Sequence, residues 1–224
     1  GHNFGNIFLS TLEQLSGNFY NAVKTAASIL NVQGNVYPVT LDNVRLHAEL
    51  ENGEVVSGET NIDIPKHNPD LKIERIFLKP QALANKDAAR AVLKADAVIV
   101  GPGDLYTSIL PNFLVSGITN AFKKSKAKKI YVCNLMTKYG ETNNYTLKDF
   151  INAIEKYIGK DAFDYVLANN KKPNQARLKE YLDEKAKLVS IPGLSYKGLI
   201  IKDFITDRGL IRHDQKKLGE TLIK

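Results

Sequence analysis

The chain has 224 residues, 43% apolar and 25% charged, with one Cys, one Met, no Trp and a formal net charge of +7. That composition fits one globular domain with a full core and excludes collagen, coiled coil and disorder. No apolar run reaches the ~18–20 residues that a membrane span needs, and no basic stretch followed by an apolar segment marks a signal peptide.

The chain opens on helical patterns. Ile7, Phe8, Thr11, Leu12 and Leu15 recur at helical spacing, Ser16-Gly17-Asn18 breaks the pattern, and Phe19, Val23, Ala26, Ala27 and Leu30 resume it. Strands follow. Residues 36–40 are short and β-rich, residues 44–50 alternate, and Glu51-Asn52-Gly53-Glu54 signals a two-residue hairpin into Val55-Val56. Residues 61–71 carry two prolines and read as an exposed connection, and residues 73–78 give a further strand.

From Lys86 the pattern changes. Helices are predicted over residues 87–93, 112–124, 146–158 (with Thr146 as the cap) and 175–184. Between them lie apolar strands at 97–100, 129–135 and 164–168, with a short one at 188–189. Strands without alternation, separated by helices, predict a parallel sheet covered on both faces. Residues 199–211 read as a hairpin turning at Asp207-Arg208-Gly209, and a last helix starts at about Gln215. The fold class is α/β, a Rossmann-like parallel sheet in a single domain over 1–224, with a β-rich insertion at about 34–80.

In a doubly wound sheet, ligands bind beyond the carboxyl ends of the strands. The first loop there is Gly101-Pro102-Gly103-Asp104-Leu105-Tyr106-Thr107-Ser108. Glycine lets main-chain amides approach a phosphate, and Thr107 and Ser108 add hydroxyls before a helix N-terminus. The alternative is a tight turn that needs glycine only for its dihedral angles. Asn134, ending the next strand, offers both a donor and an acceptor to a base or sugar edge, or bonds only its local backbone. His2-Asn3-Phe4-Gly5-Asn6 precedes the first helix, where Asn6 is either an N-cap or a ligand contact. Arg212-His213-Asp214 mixes a fixed cation, a titratable ring and a carboxylate, and reads either as a phosphate contact or as a surface salt bridge.

Other chemistries find little support. His2, His47, His67 and His213 are too scattered to hold a metal. Cys133, alone in the apolar run KIYVCNL, forms no internal disulfide and reads as a small buried residue of a reducing cytosol. The basic run Lys123, Lys124, Lys126, Lys128 and Lys129 reads as a solvated helix end, without the aromatic spacing of a nucleic-acid binder.

HNFGN, GPGDLYTSILPN, KKIYVCNLMTKYGETNNYT, DYVLANN and GLIRHD occur in that order. Together they resemble the CofD-like family, specifically its YvcK-type branch of gluconeogenesis factors, over essentially the whole chain. The resemblance implies a Rossmann-like domain of the phospholactate-transferase type. It also implies a cytoplasmic regulatory protein of carbon metabolism and cell shape that binds a UDP-sugar such as UDP-N-acetylglucosamine. No catalytic residue follows from it.

The ligand-binding positions it implies are Gly101, Pro102, Gly103, Tyr106, Thr107, Ser108, His2, Asn3, Asn6, Asn134, Arg212 and, by a loose alignment, Tyr181. The other branch implies an enzyme that moves a phospholactyl-type group from a nucleotide-activated donor, with Mg2+. A third class is a pure interaction protein in which these loops only shape the backbone. Two departures from the family stand out. Asp104 replaces a commoner Ser and would repel phosphate unless it turns outward or meets a cation. The chain also begins at the His-Asn motif, where the family carries a further segment with a Gly-rich turn and metal-holding acidic residues. The expectation is a fragment whose open sheet edge calls for a second chain, as in a homo-oligomer.

Overall fold

The computed structural model describes residues 4–223, so Gly1, His2, Asn3 and Lys224 lie outside the described residues. The two opening helices are α1 (Phe4–Ser16) and α2 (Phe19–Ile29). Asn18 caps α2 by accepting the Asn21 N–H at 2.9 Å. Residues 36–40 form no strand. That segment makes a single bridge, Thr40 to Ala84.

The β-rich insertion is a three-stranded antiparallel sheet in the order β2-β1-β3, built from β1 (Arg45–Leu50), β2 (Val55–Ser57) and β3 (Ile73–Lys79). Its hairpin loop has three residues rather than two. Leu50 N–H bonds the Glu54 carbonyl and Gly53 N–H bonds the Leu50 carbonyl, with Gly53 at φ 84°. The third position thus needs a left-handed residue, and glycine supplies it. The connection to β3 is not wholly exposed: it holds the short helix α3 (Glu59–Asp63), whose Ile62 is 0% exposed.

The second sheet is parallel, in the order β4-β5-β6-β7. Helix α4 (Lys86–Lys94) leads to β4 (Ala97–Val100). The helix predicted over 112–124 starts earlier and is broken: a π-helical turn (Leu105–Ile109) leads into α5 (Leu110–Leu114), and α6 (Ile118–Lys124) is separate. The break falls where Ser116 bridges Leu83 and Gly117 takes φ 105°. Then come β5 (Lys128–Val132), α7 (Leu147–Ile158), β6 (Tyr165–Asn169) and α8 (Gln175–Lys179), which is shorter than the pattern predicts. Residues 188–189 make only a bridge, Met136 to Leu188. The expected tail hairpin is replaced by β7 (Leu199–Lys202), which joins the sheet parallel to β6. Only the bridge between Ile205 and His213 remains of the reversal, before α9 (Gln215–Ile223).

Alternate residues of the central strands face opposite layers. Tyr131, Cys133, Val166 and Ala168 pack with Leu147, Phe150, Ile151 and Ile154 of α7. Ile130, Val132, Leu167 and Phe204 pack with Leu218 and Leu222 of α9. Coverage fails at β4, a sheet edge, where Ile99 is 48% exposed. The insertion does not form a separate core: Leu46, Ala48, Leu50, Ile62 and Ile76 belong to the same buried cluster as α7. Helix α7 explains this. Thr146 and Asp149 form a capping box at its start, and its apolar positions face both the parallel sheet and the insertion. Tyr157 from α7 also accepts the Ile76 N–H at 2.8 Å.

Candidate functional site

The loop after β4 is set by its first residue. Gly101 has φ 81°, and a Cβ there would lie 2.7 Å from the Val132 carbonyl oxygen. Only glycine lets the loop pass so close to the end of β5. Further on, Glu141 takes over. Its buried carboxylate accepts the Tyr106 N–H and the Thr107 hydroxyl, both at 3.2 Å. Gly103 N–H points at Asn134 Oδ1, a long contact of 3.5 Å. Two amides that could have faced a phosphate are therefore directed at side-chain oxygens.

The loop has a cavity on each side. On the α4 and α6 side lies an apolar one of about 450 Å³, lined by Val98, Gly101, Gly103, Ser108, Ile109 and Phe113 among others. On the other side lies a polar cleft of about 410 Å³. A diphosphate needs cations, and the lining of the apolar cavity holds none. The cleft brings together Pro102, Asn134, Tyr181 and Arg212, together with His213 and Thr137. Tyr181 oxygen accepts the Ile211 N–H at 2.9 Å, leaving its own O–H to donate. Asn134 uses its oxygen toward Gly103, which leaves its NH2. Arg212 is exposed, and its guanidinium makes no hydrogen bond or ion pair with any described residue. The salt bridge that the sequence allowed there does not form. Its neighbour Asp214 caps α9 by accepting the Lys216 and Lys217 N–H groups. Burial pushes the His213 pKa down, against a backbone hydrogen bond with Cys133.

The remaining expected positions are placed elsewhere. Tyr106 is 4% exposed, and its hydroxyl pairs with that of Tyr145 at 2.8 Å. It is a core residue and lines no part of the cleft. Thr107 is committed to Glu141, while Gly101, Gly103 and Ser108 line the apolar side. Asn6 lies within the exposed first turn of α1, not ahead of it as a cap, and no cleft wall comes from that helix. His2 and Asn3 fall outside the described residues.

Sequence reasoning missed the cluster beside the cleft. Lys138 Nζ contacts Asp63, Asp104 at 2.8 Å and Glu141 at 3.1 Å. Asp104 thus meets a cation, one of the two alternatives the sequence left open. Lys138-x-x-Glu141 follows the Asn134 strand end and was visible as a pair, but Asp63 comes from the insertion and left no local signal. Burial raises the Glu141 pKa, with Lys138 opposing it. The neighbouring carboxylates raise the Lys138 pKa, against its desolvation. The Asp63, Asp104 and Glu141 oxygens lie within 4.8 Å of one another, close enough for a divalent ion. An ammonium already contacts all three carboxylates, so a divalent ion would have to displace Lys138.

Comparison with known proteins gives a consistent result. Residues 1–200 match the CofD family, described as 2-phospho-L-lactate transferase CofD. The gluconeogenesis factor of Bacillus subtilis is 38% identical over 229 residues, covering 100% of this chain and 71% of that protein. A gluconeogenesis-factor relative from Clostridium acetobutylicum is 42% identical over 227 residues, covering 99% of this chain. This chain spans only 50% of that relative's length. A solved UPF0052-family structure from Bacillus halodurans superposes with a TM-score of 0.91 at 34% identity, covering 100% of this chain and 72% of that one. Among the described residues, no helix is long and apolar enough to cross a membrane. The Gly-Pro-Gly loop, the parallel sheet behind it and this agreement along the chain lead to one statement: the chain belongs to the CofD family.

Proposed function

We propose that the chain builds the ligand-binding part of a cytoplasmic regulator of carbon metabolism and cell shape. The ligand is a nucleotide sugar of the UDP-N-acetylglucosamine type, bound in the cleft between Pro102 and Arg212. The gluconeogenesis-factor names of its relatives support the link to carbon metabolism. One observation carries the second: three donors converge on the cleft with hydrogens to spare, the Arg212 guanidinium, the Asn134 NH2 and the Tyr181 O–H. Such donors suit a ligand rich in acceptor oxygens, and a guanidinium suits a diphosphate best, with the carboxylates of Asp104 and Glu184 also on the lining. A volume of about 410 Å³ lies within the usual range for small-ligand sites. Calorimetry with UDP-N-acetylglucosamine on the full-length protein is expected to show binding. Arg212→Ala should weaken it by about tenfold or more, as loss of a charged hydrogen bond does. No heat, together with wild-type behaviour of the variant, would sink this reading.

The family description favours a second reading, transfer of a phospholactyl-type group from a nucleotide-activated donor. An acceptor hydroxyl oxygen would attack the phosphorus of that group and lose its proton. The bond to the nucleotide would break and release a nucleoside monophosphate. Detecting that product when donor and acceptor are mixed would favour the enzyme. Its absence across a panel of both favours the regulator.

A further inference from the structure

The cluster around Lys138 is unusual in its balance. Three carboxylates from three different parts of the chain share one ammonium. Asp63 ends α3 in the β-rich insertion, Asp104 sits in the loop between the two cavities, and Glu141 follows the β5 end. Glu141 has a side-chain exposure of 0%. A fully buried carboxylate is tolerated only when paired and hydrogen-bonded, and Glu141 meets both conditions through Lys138, Tyr106 and Thr107. Lys138 also lines the cleft.

We propose that Lys138 is a positioning residue that serves as the built-in cation of the ligand loop, in the place a divalent metal would take among Asp63, Asp104 and Glu141. It pairs directly with Asp104 and so lowers the negative charge that Asp104 presents to an anionic ligand. It also ties the insertion to the loop, so that the cleft wall at Pro102 and Asp104 is held from two sides. The three oxygens converge within metal-binding distance of one another, and Nζ lies at hydrogen-bond distance from each. An ammonium and a divalent ion cannot both hold those oxygens. A metal is therefore excluded from the cluster while Lys138 is present and admitted when it is removed.

The first test uses calcium alone and needs no ligand. Wild-type protein should give no calcium heat that depends on the cluster. Lys138→Met should bind calcium and melt at a higher temperature in its presence, and Lys138→Arg should behave as wild type. Calcium binding by the wild type that Asp104→Asn removes would overturn the proposal, as would a Lys138→Met protein indifferent to calcium. If Lys138→Met folds only with calcium, the proposal is supported.

The second test rests on the nucleotide-sugar reading of the cleft. Lys138→Met should bind UDP-N-acetylglucosamine about tenfold more weakly without calcium, a typical size for coupling between linked groups. Added calcium should restore the affinity, which a purely structural role would not predict. If Lys138→Met does not fold at all, Asp63→Asn decides. A loss of about fivefold is expected from unlinking the insertion, and wild-type affinity would overturn the proposal. A wild-type protein that binds no nucleotide sugar removes the proposed function but leaves the calcium test to decide the role of Lys138.

Discussion

The two walls of the cleft are built in opposite ways. On the loop side almost every polar group is spoken for: Glu141 holds Tyr106 and Thr107, Lys138 holds Asp104, and Gly103 turns toward Asn134. On the facing side Arg212 is exposed and has no partner among the described residues, and the Tyr181 O–H donates to none of them. The first wall is organised from within and contributes shape. The second contributes the donors that a ligand would use. The contrast revises the simplest idea of a glycine loop as a phosphate cradle. Here Gly101 allows close packing against β5, and the proposed recognition chemistry sits across the cleft.

Substitutions on the loop side should cost stability first and binding second. The largest effect is expected at Glu141. Glu141→Ala removes one of the three carboxylates on Lys138 and leaves the buried Tyr106 N–H unsatisfied. The expected loss is about 3 kcal/mol, set below the full cost of breaking a wholly buried pair because Lys138 is partly exposed. A fall in the denaturant midpoint at unchanged slope would show it. A change under 1 kcal/mol would mean that the loop is not held from this side.

Gly101→Ala comes next. It forces an L side chain to φ 81° and sets its Cβ 2.7 Å from a carbonyl oxygen at the end of β5. A loss of about 2 kcal/mol is expected, from left-handed strain and the shift needed to relieve the clash. Melting and ligand affinity should fall together, because the shift moves Pro102. By contrast, Arg212→Ala is expected to lower affinity and leave melting unchanged. If both variants changed only affinity, the two walls would not differ as described.

Much of this architecture is legible in local sequence. Helix α7 is visible because Thr146 and Asp149 mark its start and its apolar residues keep helical spacing. Strands β4, β5 and β6 are visible as short apolar runs. What escapes depends on partners far along the chain. β7 is misread as half of a hairpin, because its pairing of Leu199 to Lys202 with Val166 to Asn169 has no local signature. The break between α5 and α6 depends on a bridge from Ser116 to Leu83. In the site the same rule holds. Pro102, Asn134, Tyr181 and Arg212 could be proposed from motifs, whereas Tyr106 looks like a ligand contact until its burial is known. Asp63 could not be connected to Lys138 at all, since the insertion must fold before the two meet.

The smallest effect is expected at His213, on the donor side, and it concerns pH. Burial lowers its pKa in the folded chain below the ordinary histidine value. The unfolded chain therefore binds a proton more readily than the folded one, and stability rises with pH across the interval between the two values. The contribution is fully present above the ordinary histidine pKa and is lost as pH falls through the folded value. Melting followed over that interval should show a decline on acidification, and His213→Gln should flatten it by an amount of order 1 kcal/mol or less. Because His213 adjoins Arg212 and lines the cleft, protonation also adds a cation to the donor wall. Affinity for an anionic ligand should then rise over the same interval in which stability falls. Opposite pH slopes for melting and binding, both flattened by His213→Gln, would separate the donor wall from the loop wall. Parallel slopes would place His213 among the groups that only hold the structure.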